Sequence, residues 1–292
     1  MRPSTVRFPD GAAFRVEVPS VEGPACVRAV LNEAERLSVP VRRMSQGSGV
    51  TLTTDDELDE MASLCAAAGV ELSLFARPCA LWGTSAAARA PAGQVFGPSV
   101  HGEGQLRAAL AEVRRAAEHG IRSVLIADVG LLAAFGKLRA GGELPSDMQA
   151  KVSAMFPIAN PATAEVLVSL GADTLNVQPD LSLQDIAAIR SAVDVPLDIY
   201  IESPDNVGGF VRYHEMADLV RYAAPVYLKF GLRNAPDVYP AGSHIEQLVT
   251  SLTLERVRRA KLGMEMLARD GVALETSARG AKGLAVPVVA GT

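Results

Sequence analysis

The sequence predicts an α/β fold in which eight parallel strands close into a TIM-type (β/α)8 barrel, a single domain with a long C-terminal helix. Three observations support this prediction. Short Val/Ile/Leu-rich segments alternate with helical segments, which favours a parallel sheet. The strand-like segments number eight, and 292 residues suit a barrel of eight such units. No linker divides the chain. An open doubly wound sheet would leave the count of eight unexplained.

The predicted strands are runs of five to eight residues bounded by Gly, Ala or Pro breaks. In chain order they are 13–18, 41–46, 70–77, 123–128, 151–156, 174–178, 196–202 and 226–230. Most are preceded by segments whose apolar residues recur at spacings of three and four, as in an amphipathic helix. These helical segments are 26–37, 55–69, 104–120, 161–171, 183–192 and 215–224.

Other segments of the chain carry weaker or different signals. Thr54 and Ser182 have the residue types of helix N-caps, and Gly69, Gly120 and Gly171 follow predicted helices as stops. The segment 131–148, between the fourth and fifth predicted strands, has a weak helical pattern that predicts only a short or irregular helix. A long helical pattern over 245–270 would close the barrel. We therefore expect a barrel domain over 1–272, long loops at 78–103 and 231–244, and a flexible tail over 273–292.

Composition excludes several classes of protein. The formal net charge of −5 gives no basic surface for a nucleic-acid backbone, so we expect no nucleic-acid partner. Three cysteines without CxxC spacing predict neither a disulfide framework nor a zinc cluster. No signal-like N-terminus and no run of about 18 apolar residues is present. These features predict a soluble cytoplasmic protein that does not enter a membrane.

Alternation along the strands predicts which side chains face the barrel axis. In 196–202, Leu197, Ile199 and Ile201 share the face that would meet the helices. The opposite face would point into the lumen. By this rule the luminal residues are Arg15, Glu17, Glu71, Ser73, Phe75, Arg77, Asn176, Gln178, Asp198, Tyr200, Glu202, Tyr227 and Lys229. Strand 41–46 is ambiguous, and if Val41 packs outward its luminal residues would be Arg42, Met44 and Gln46.

An ordinary TIM-barrel lumen is filled by branched apolar residues, whereas this one is predicted to be charged. Buried charges are costly unless they are paired. A structural ion network is therefore one interpretation, for Arg15, Glu17, Glu71 and Asp198 in particular. The other interpretation is a role in an active site. It is favoured for residues at the C-terminal ends of strands, because barrel active sites lie there. The candidates are Gln46, Arg77, Asp128, Asn160, Gln178, Tyr200, Glu202, Lys229, Arg233 and Asn234.

Glu202 and Lys229 lie on adjacent predicted strands and form the candidate acid/base pair, with Asp128 as a third catalytic candidate. Arg77 and Arg233 suit a carboxylate or phosphate, and the Asn, Gln and Tyr candidates would hold a polar substrate. Lys229 as a Schiff-base nucleophile is an alternative. Glu202 and His214 would also permit a divalent metal, Mg²⁺, Mn²⁺ or Zn²⁺. A simple salt bridge between Glu202 and Lys229 is the non-catalytic interpretation.

The middle of the chain resembles the peptidase U32 family. The segment 123–135 resembles a strand of that family that ends in Asp-x-Gly, here Asp128-Val129-Gly130. The segments 156–173 and 180–189 resemble the strand, helix and acid-Leu-Ser-Leu-x-acid-Ile elements that follow. The resemblance implies a (β/α)8-type core and a nominal hydrolase label. Some relatives carry an iron–sulfur cluster, but the cluster cysteines are missing here, so no cluster is expected.

Together these features predict an enzyme of U32-like barrel fold that acts on a small, polar, carboxylate-bearing substrate by acid/base or metal-assisted chemistry. A lyase, aldolase or isomerase on the same scaffold is an alternative, and so is a binding protein without catalysis. The segment 261–267 within the last helix bears two methionines and would permit a homodimer through that helix.

Overall fold

A computed structural model describes residues 1–79, 97–273 and 276–289. Its eight parallel strands follow chain order around a closed barrel, with β8 pairing back to β1, so the predicted TIM-type barrel is confirmed. The strands are β1 Phe14–Pro19, β2 Val41–Gln46, β3 Glu71–Phe75, β4 Ser123–Ile126, β5 Gln149–Val152, β6 Thr174–Asn176, β7 Leu197–Glu202 and β8 Val226–Phe230. Most of the predicted loop 78–103 lies outside the described residues.

Eight α-helices are present in the described residues, and they surround the barrel. They are α1 Pro24–Arg36, α2 Asp55–Ala68, α3 Gly102–Glu118, α4 Val129–Ala140, α5 Pro161–Ser169, α6 Leu183–Ala192, α7 Met216–Ala223 and α8 Glu246–Arg269. No helix in these parts of the chain is long and apolar enough to cross a membrane. The long helix α8 packs on α1 and on the barrel wall at β1 and β8.

Two predicted elements differ from the structure. The connection after β4 holds a regular 12-residue helix, α4, instead of a short or irregular one. Its apolar and small residues do not segregate to one face, which explains why its sequence lacks a clear helical period. The fifth strand is Gln149–Val152 instead of 151–156, because the chain turns at Ser153, whose carbonyl accepts the N–H of Phe156 at 2.9 Å.

Helix ends follow the predicted caps. Thr54 and Glu57 form a capping box at the start of α2, and Ser182 accepts the N–H of Asp185 at the start of α6. Gly69 ends α2 in the left-handed conformation, φ 62°. A Cβ at Gly69 would lie 2.6 Å from the backbone nitrogen of Gly280, so this position requires glycine for close approach as well as for conformation.

The main apolar core lies between the barrel wall and the helices. Outward-facing strand residues such as Val16, Ile199 and Leu228 are fully buried there with helix residues such as Leu219 and Val257. Burial of this apolar surface is the main stabilising contribution to a fold of this kind.

Two β-bulges change which side chains face the axis. In the β1–β2 pair, Val16 lies opposite Val41 but Glu17 lies opposite Arg43, so Arg42 is an extra residue. In the β7–β8 pair, Tyr200 lies opposite Lys229 but Glu202 lies opposite Phe230, so β7 also has an extra residue. A bulge reverses the alternation of side chains beyond it, and this places Arg43 inside the barrel and Glu202 outside.

The N-terminal end of the barrel is covered by residues 276–289, which belong to the segment predicted as a flexible tail. Arg15 donates to the Ser277 hydroxyl at 2.7 Å and to the carbonyls of Lys282 and Gly283 at 3.0 and 3.2 Å. The backbone of Val288 donates to the carbonyl of Gly120. The opposite, C-terminal end is the one at which barrel active sites lie.

Candidate active site

The barrel lumen is lined by buried polar side chains from all eight strands. They include Arg15, Glu17, Arg43, Ser45, Glu71, Ser73, Ser123, Lys151, Thr174, Asn176, Asp198, Tyr200, Tyr227 and Lys229. Most of the residues that alternation places at the axis lie there. The predicted luminal set for β2 is wrong: the bulge at Arg42 turns Arg43 and Ser45 inward, while Met44 packs in the outer core.

Glu17 lies at the centre of a network of ion pairs. Its carboxylate contacts Lys151 Nζ, accepts the Ser45 hydroxyl at 2.7 Å, and lies 3.5 Å from Lys229 Nζ and 3.4 Å from Arg43 Nη1. Burial alone would raise the pKa of Glu17, but the three cations outweigh that effect and hold the pKa well below its ordinary value. Glu17 is therefore a permanent anion at the barrel axis.

Arg43 links the remaining carboxylates. Its Nε donates to Glu71 at 2.7 Å, and its Nη1 lies 3.0 Å from both oxygens of Asp198. The Tyr227 ring stacks 3.4 Å from the guanidinium carbon. Three carboxylates, Glu17, Glu71 and Asp198, thus meet three cations, Arg43, Lys151 and Lys229. Of the four residues predicted to form a structural ion network, Glu17, Glu71 and Asp198 belong to it, whereas Arg15 lies outside these ion pairs and pairs with Asp10 at 3.7 Å.

Lys151 is the most perturbed amine in the lumen. It contacts Glu17 and lies 3.3 Å from Asp198, and no part of its side chain is exposed. Burial lowers the pKa of Lys151 to about 8, with Glu17 and Asp198 opposing the shift and Lys229 adding to it. Lys151 and Lys229 share the same oxygen of Glu17, so the two amines are neighbours.

The luminal network is nearly closed to solvent, and Lys229 and Tyr200 are among its less buried members. Glu17, Asp198 and Lys151 are 0% exposed, whereas Lys229 is 3% and Tyr200 8% exposed. Lys229 Nζ lies 4.3 Å from the centre of the Tyr200 ring. With the Asn176 amide oriented to satisfy its neighbours, its oxygen accepts from Lys229 Nζ at 2.8 Å. Lys229, Tyr200 and Asn176 thus form the mouth-facing side of the network.

The predicted Glu202–Lys229 pair is wrong. Because of the bulge in β7, the Glu202 side chain faces the same side as Phe230, in the outer wall of the barrel. Its carboxylate accepts the Tyr213 hydroxyl and the backbone N–H of Arg233, each at 2.9 Å. Lys229 pairs instead with Glu17.

Three other candidates make local contacts at strand ends. Asp128 accepts the N–H groups of Leu131 and Val100 at 2.8 and 3.0 Å and caps α4. Asn160 caps α5. The Gln46 side chain folds onto Gly49, whose N–H it accepts at 3.0 Å. Asp and Asn are preferred at helix N-caps, which here follow the C-terminal strand ends, so the same positions suit capping and catalysis. Roles for these residues in the reaction stay predictions.

The remaining candidates divide between the mouth and the outer wall. Arg77 is buried beside the loop after β2, where it donates to the Gly47 carbonyl at 3.1 Å and lies over the Phe75 ring. Gln178 is partly buried after β6. Arg233 and Asn234 contact Asp205 on the outer side, at 3.0 and 2.7 Å.

The metal candidates Glu202 and His214 are not supported by a third ligand. No group of three or more His, Cys, Asp and Glu side chains within the described ranges is arranged to hold a metal ion. His214 is exposed. A metal at this position stays a prediction.

Sequence reasoning missed Arg43 and Lys151 as luminal residues. Arg43 was hidden by the bulge in β2. Lys151 stands at the first position of its predicted strand, and alternation with the buried Val152 would have placed it at the axis. A further signal was available in the composition: the chain has only five lysines against 23 arginines, and two of the five are luminal.

The closed parallel barrel with its helices outside defines the TIM-barrel class. Within that class, the predicted resemblance to the U32 peptidases is confirmed. The model described as Peptidase family U32 matches residues 95–203, which include α3 to α6 and the strands between them. The match covers less than half of the chain. No curated protein matches the sequence.

Solved structures that match this chain belong to several kinds of protein. The structure of the U32 peptidase Mk0906 has 16% sequence identity and a TM-score of 0.44, and covers 68% of this chain and 72% of its own. A putative lyase/mutase from Burkholderia cenocepacia J2315 has 17% identity and a TM-score of 0.46, with 88% and 84% covered. A truncated 3-deoxy-D-arabino-heptulosonate 7-phosphate synthase from Thermotoga maritima has 14% identity and a TM-score of 0.49, with 93% and 94% covered.

Proposed function

We propose that this protein is an enzyme that binds a small, polar, carboxylate-bearing molecule at the C-terminal mouth of the barrel and transfers a proton through Lys229. The observation that carries the proposal is the position of Lys229. It belongs to the buried ion network, and it is 3% exposed near the C-terminal end of β8, whereas Arg43 and Lys151 are 0% exposed. A charged group held by a rigid network and open to a mouth is suited to act on a bound molecule.

The chemistry of the surrounding groups favours an anionic substrate. Lys229 on β8 and Arg77 after β3 are both cations, and both are located towards the C-terminal end of the barrel. Tyr200 and Asn176 hold the Lys229 side chain by a ring contact and a hydrogen bond. The Lys229 amine is held in place by Glu17, whose carboxylate lies 3.5 Å from Nζ. In its amine form Lys229 would take the proton from the carbon next to the substrate carbonyl, leaving an enolate, and its ammonium form would return a proton to that carbon.

Proton exchange at carbon tests this proposal with simple 2-oxo acids as probes. Pyruvate, 2-oxobutyrate and 2-oxoglutarate would be incubated with the protein in D₂O, and loss of the proton signal next to the carbonyl would be followed by NMR. We expect faster exchange with the wild-type protein for at least one acid, and a fall of about 100-fold or more for Lys229→Met, since acid/base groups contribute about that much.

The matched control is Lys137→Met, which makes the same substitution at an exposed position of α4. It should exchange protons as the wild type does. Equal rates in wild type and Lys229→Met would refute the role of Lys229. If no acid exchanges although one of them raises the melting temperature of the wild type, the protein binds carboxylates without catalysis, which is the alternative prediction.

A second reaction, through a Schiff base, is favoured by the two neighbouring amines. Lys151 and Lys229 contact the same oxygen of Glu17, so two amines lie side by side, an arrangement found in enzymes that form Schiff bases. Of these two residues, Lys229 is 3% exposed and Lys151 is 0% exposed. Treatment with pyruvate and sodium borohydride should then attach the reduced adduct to the peptide that contains Lys229, and an unmodified peptide in mass spectrometry would exclude this reaction for pyruvate.

A further inference from the structure

A cleft in the outer wall of the barrel lies away from the luminal network. It is enclosed by α8 and by the segments that follow β7 and β8, and its volume is about 520 Å³. Small-molecule sites commonly have volumes of about 300–1,000 Å³. Its lining residues are Glu202, Val211, Tyr213, Arg233, Asn234, Arg259, Leu262, Met266 and Arg269. None of them belongs to the luminal network.

The lining carries three arginines and one carboxylate. Glu202 is 3% exposed, and its carboxylate already accepts from Tyr213 and from the Arg233 backbone. Arg259 pairs with Glu255 at 2.9 Å and lies 3.8 Å from Glu202. The Arg233 side chain is 52% exposed, and its Nε pairs with Asp205 at 3.0 Å. Arg269 is the lining arginine that forms no ion pair with the described residues, so the cleft keeps one uncompensated positive charge. Arg269 is exposed at the end of α8.

An apolar surface lies beside these charges. Leu262 and Met266 are partly exposed on α8, and the spacing of Arg259, Leu262, Met266 and Arg269 places all four on one face of the helix. Val211 adds a side chain that is 43% exposed from the opposite wall. The cleft thus joins exposed guanidinium groups to an aliphatic surface. Guanidinium groups bind carboxylates through paired N–H donors.

We propose that this cleft is a second binding site, for a small organic carboxylate with an apolar body. The carboxylate would contact Arg233 and Arg269, and the apolar body would lie on Leu262, Met266 and Val211. The site is separate from the mouth at Lys229, because Glu202 faces outward beyond the bulge in β7. The inference does not rest on the proposed reaction.

Isothermal titration calorimetry with 3-phenylpropionate tests the site, with ¹³C-methyl methionine NMR to locate it. We expect the ligand to bind and to shift the Met266 methyl signal, which is assigned from Met266→Leu. The Arg233→Gln, Arg269→Gln double variant should bind about tenfold or more weakly. Both side chains are exposed, so the double variant should fold; its melting temperature checks this. Arg221→Gln, an exposed position on α7, is the matched control and should bind as the wild type does.

Three results would overturn the proposal. The first is equal affinity of the wild type and the double variant for 3-phenylpropionate. The second is equal binding of 3-phenyl-1-propanol, which would mean that the charge is irrelevant. The third is equal binding of acetate or inorganic phosphate, which would mean a simple anion patch. Lys229→Met should leave the affinity of the cleft unchanged, so failure of this site is distinguishable from failure of the proposed reaction.

Discussion

Replacing Glu17 by Gln removes one negative charge from the centre of the luminal network while preserving the shape of the side chain. The three cations Arg43, Lys151 and Lys229 would then face two carboxylates, and an uncompensated positive charge would stay buried. Breaking a buried ion pair by removing one partner costs about 3–5 kcal/mol. We expect Glu17→Gln to lower the free energy of unfolding by that amount, and the melting temperature by about 10 °C.

Urea denaturation followed by circular dichroism measures this free energy. Glu118→Gln is the matched control: its side chain is exposed at the end of α3, and we expect a change within about 0.5 kcal/mol. In Glu17→Gln, Lys151→Met the numbers of buried anions and cations are equal again, so the double variant should lose less than the sum of the two single variants. If Glu17→Gln lowers the free energy of unfolding by less than about 1 kcal/mol, the conclusion that the charges of the luminal network depend on one another is refuted.

Two further outcomes follow from the same structure. The folded pKa of Glu17 lies below its unfolded value of 4.5, so its contribution to the free energy of unfolding is fully present above that pH and is lost as the pH falls. The loss of this free energy in Glu17→Gln, measured in urea, should therefore be about 2 kcal/mol smaller at pH 3 than at pH 7. A loss that does not depend on pH would contradict the assignment. Gly69→Ala should destabilise by more than about 1 kcal/mol in urea, because its φ is 62° and its Cβ would meet Gly280, whereas a neutral effect would mean that residues 276–289 do not pack there.

The barrel and most of its luminal side chains were predictable from the sequence. The alternation Leu197, Asp198, Ile199, Tyr200 in β7 has a clean apolar face, and the structure buries that face against the helices. Alternation is reliable because successive side chains of a strand point to opposite sides. The helix caps at Thr54 and Ser182 were equally predictable from the sequence, since each capping residue lies within one turn of the helix that it begins.

The bulges were not predictable by the same reasoning. A bulge arises where two residues of one strand lie opposite one residue of its neighbour, so it depends on pairing between strands that are distant in sequence. Each of the two bulges reversed the alternation beyond it. One hid Arg43 from the predicted lumen, and the other moved Glu202 from the expected pair with Lys229 to the outer cleft. The residues predicted to form one site therefore lie in two separate places, the barrel lumen and the outer cleft.

The central conclusion is that the mouth of the barrel presents Lys229 to a carboxylate. Its most direct test is a crystal of this protein soaked with malonate. The account predicts electron density for malonate within hydrogen-bonding distance of Lys229 Nζ, and its absence from crystals of Lys229→Met. Malonate bound elsewhere, with the Lys229 amine enclosed and out of reach of the ligand, would contradict it.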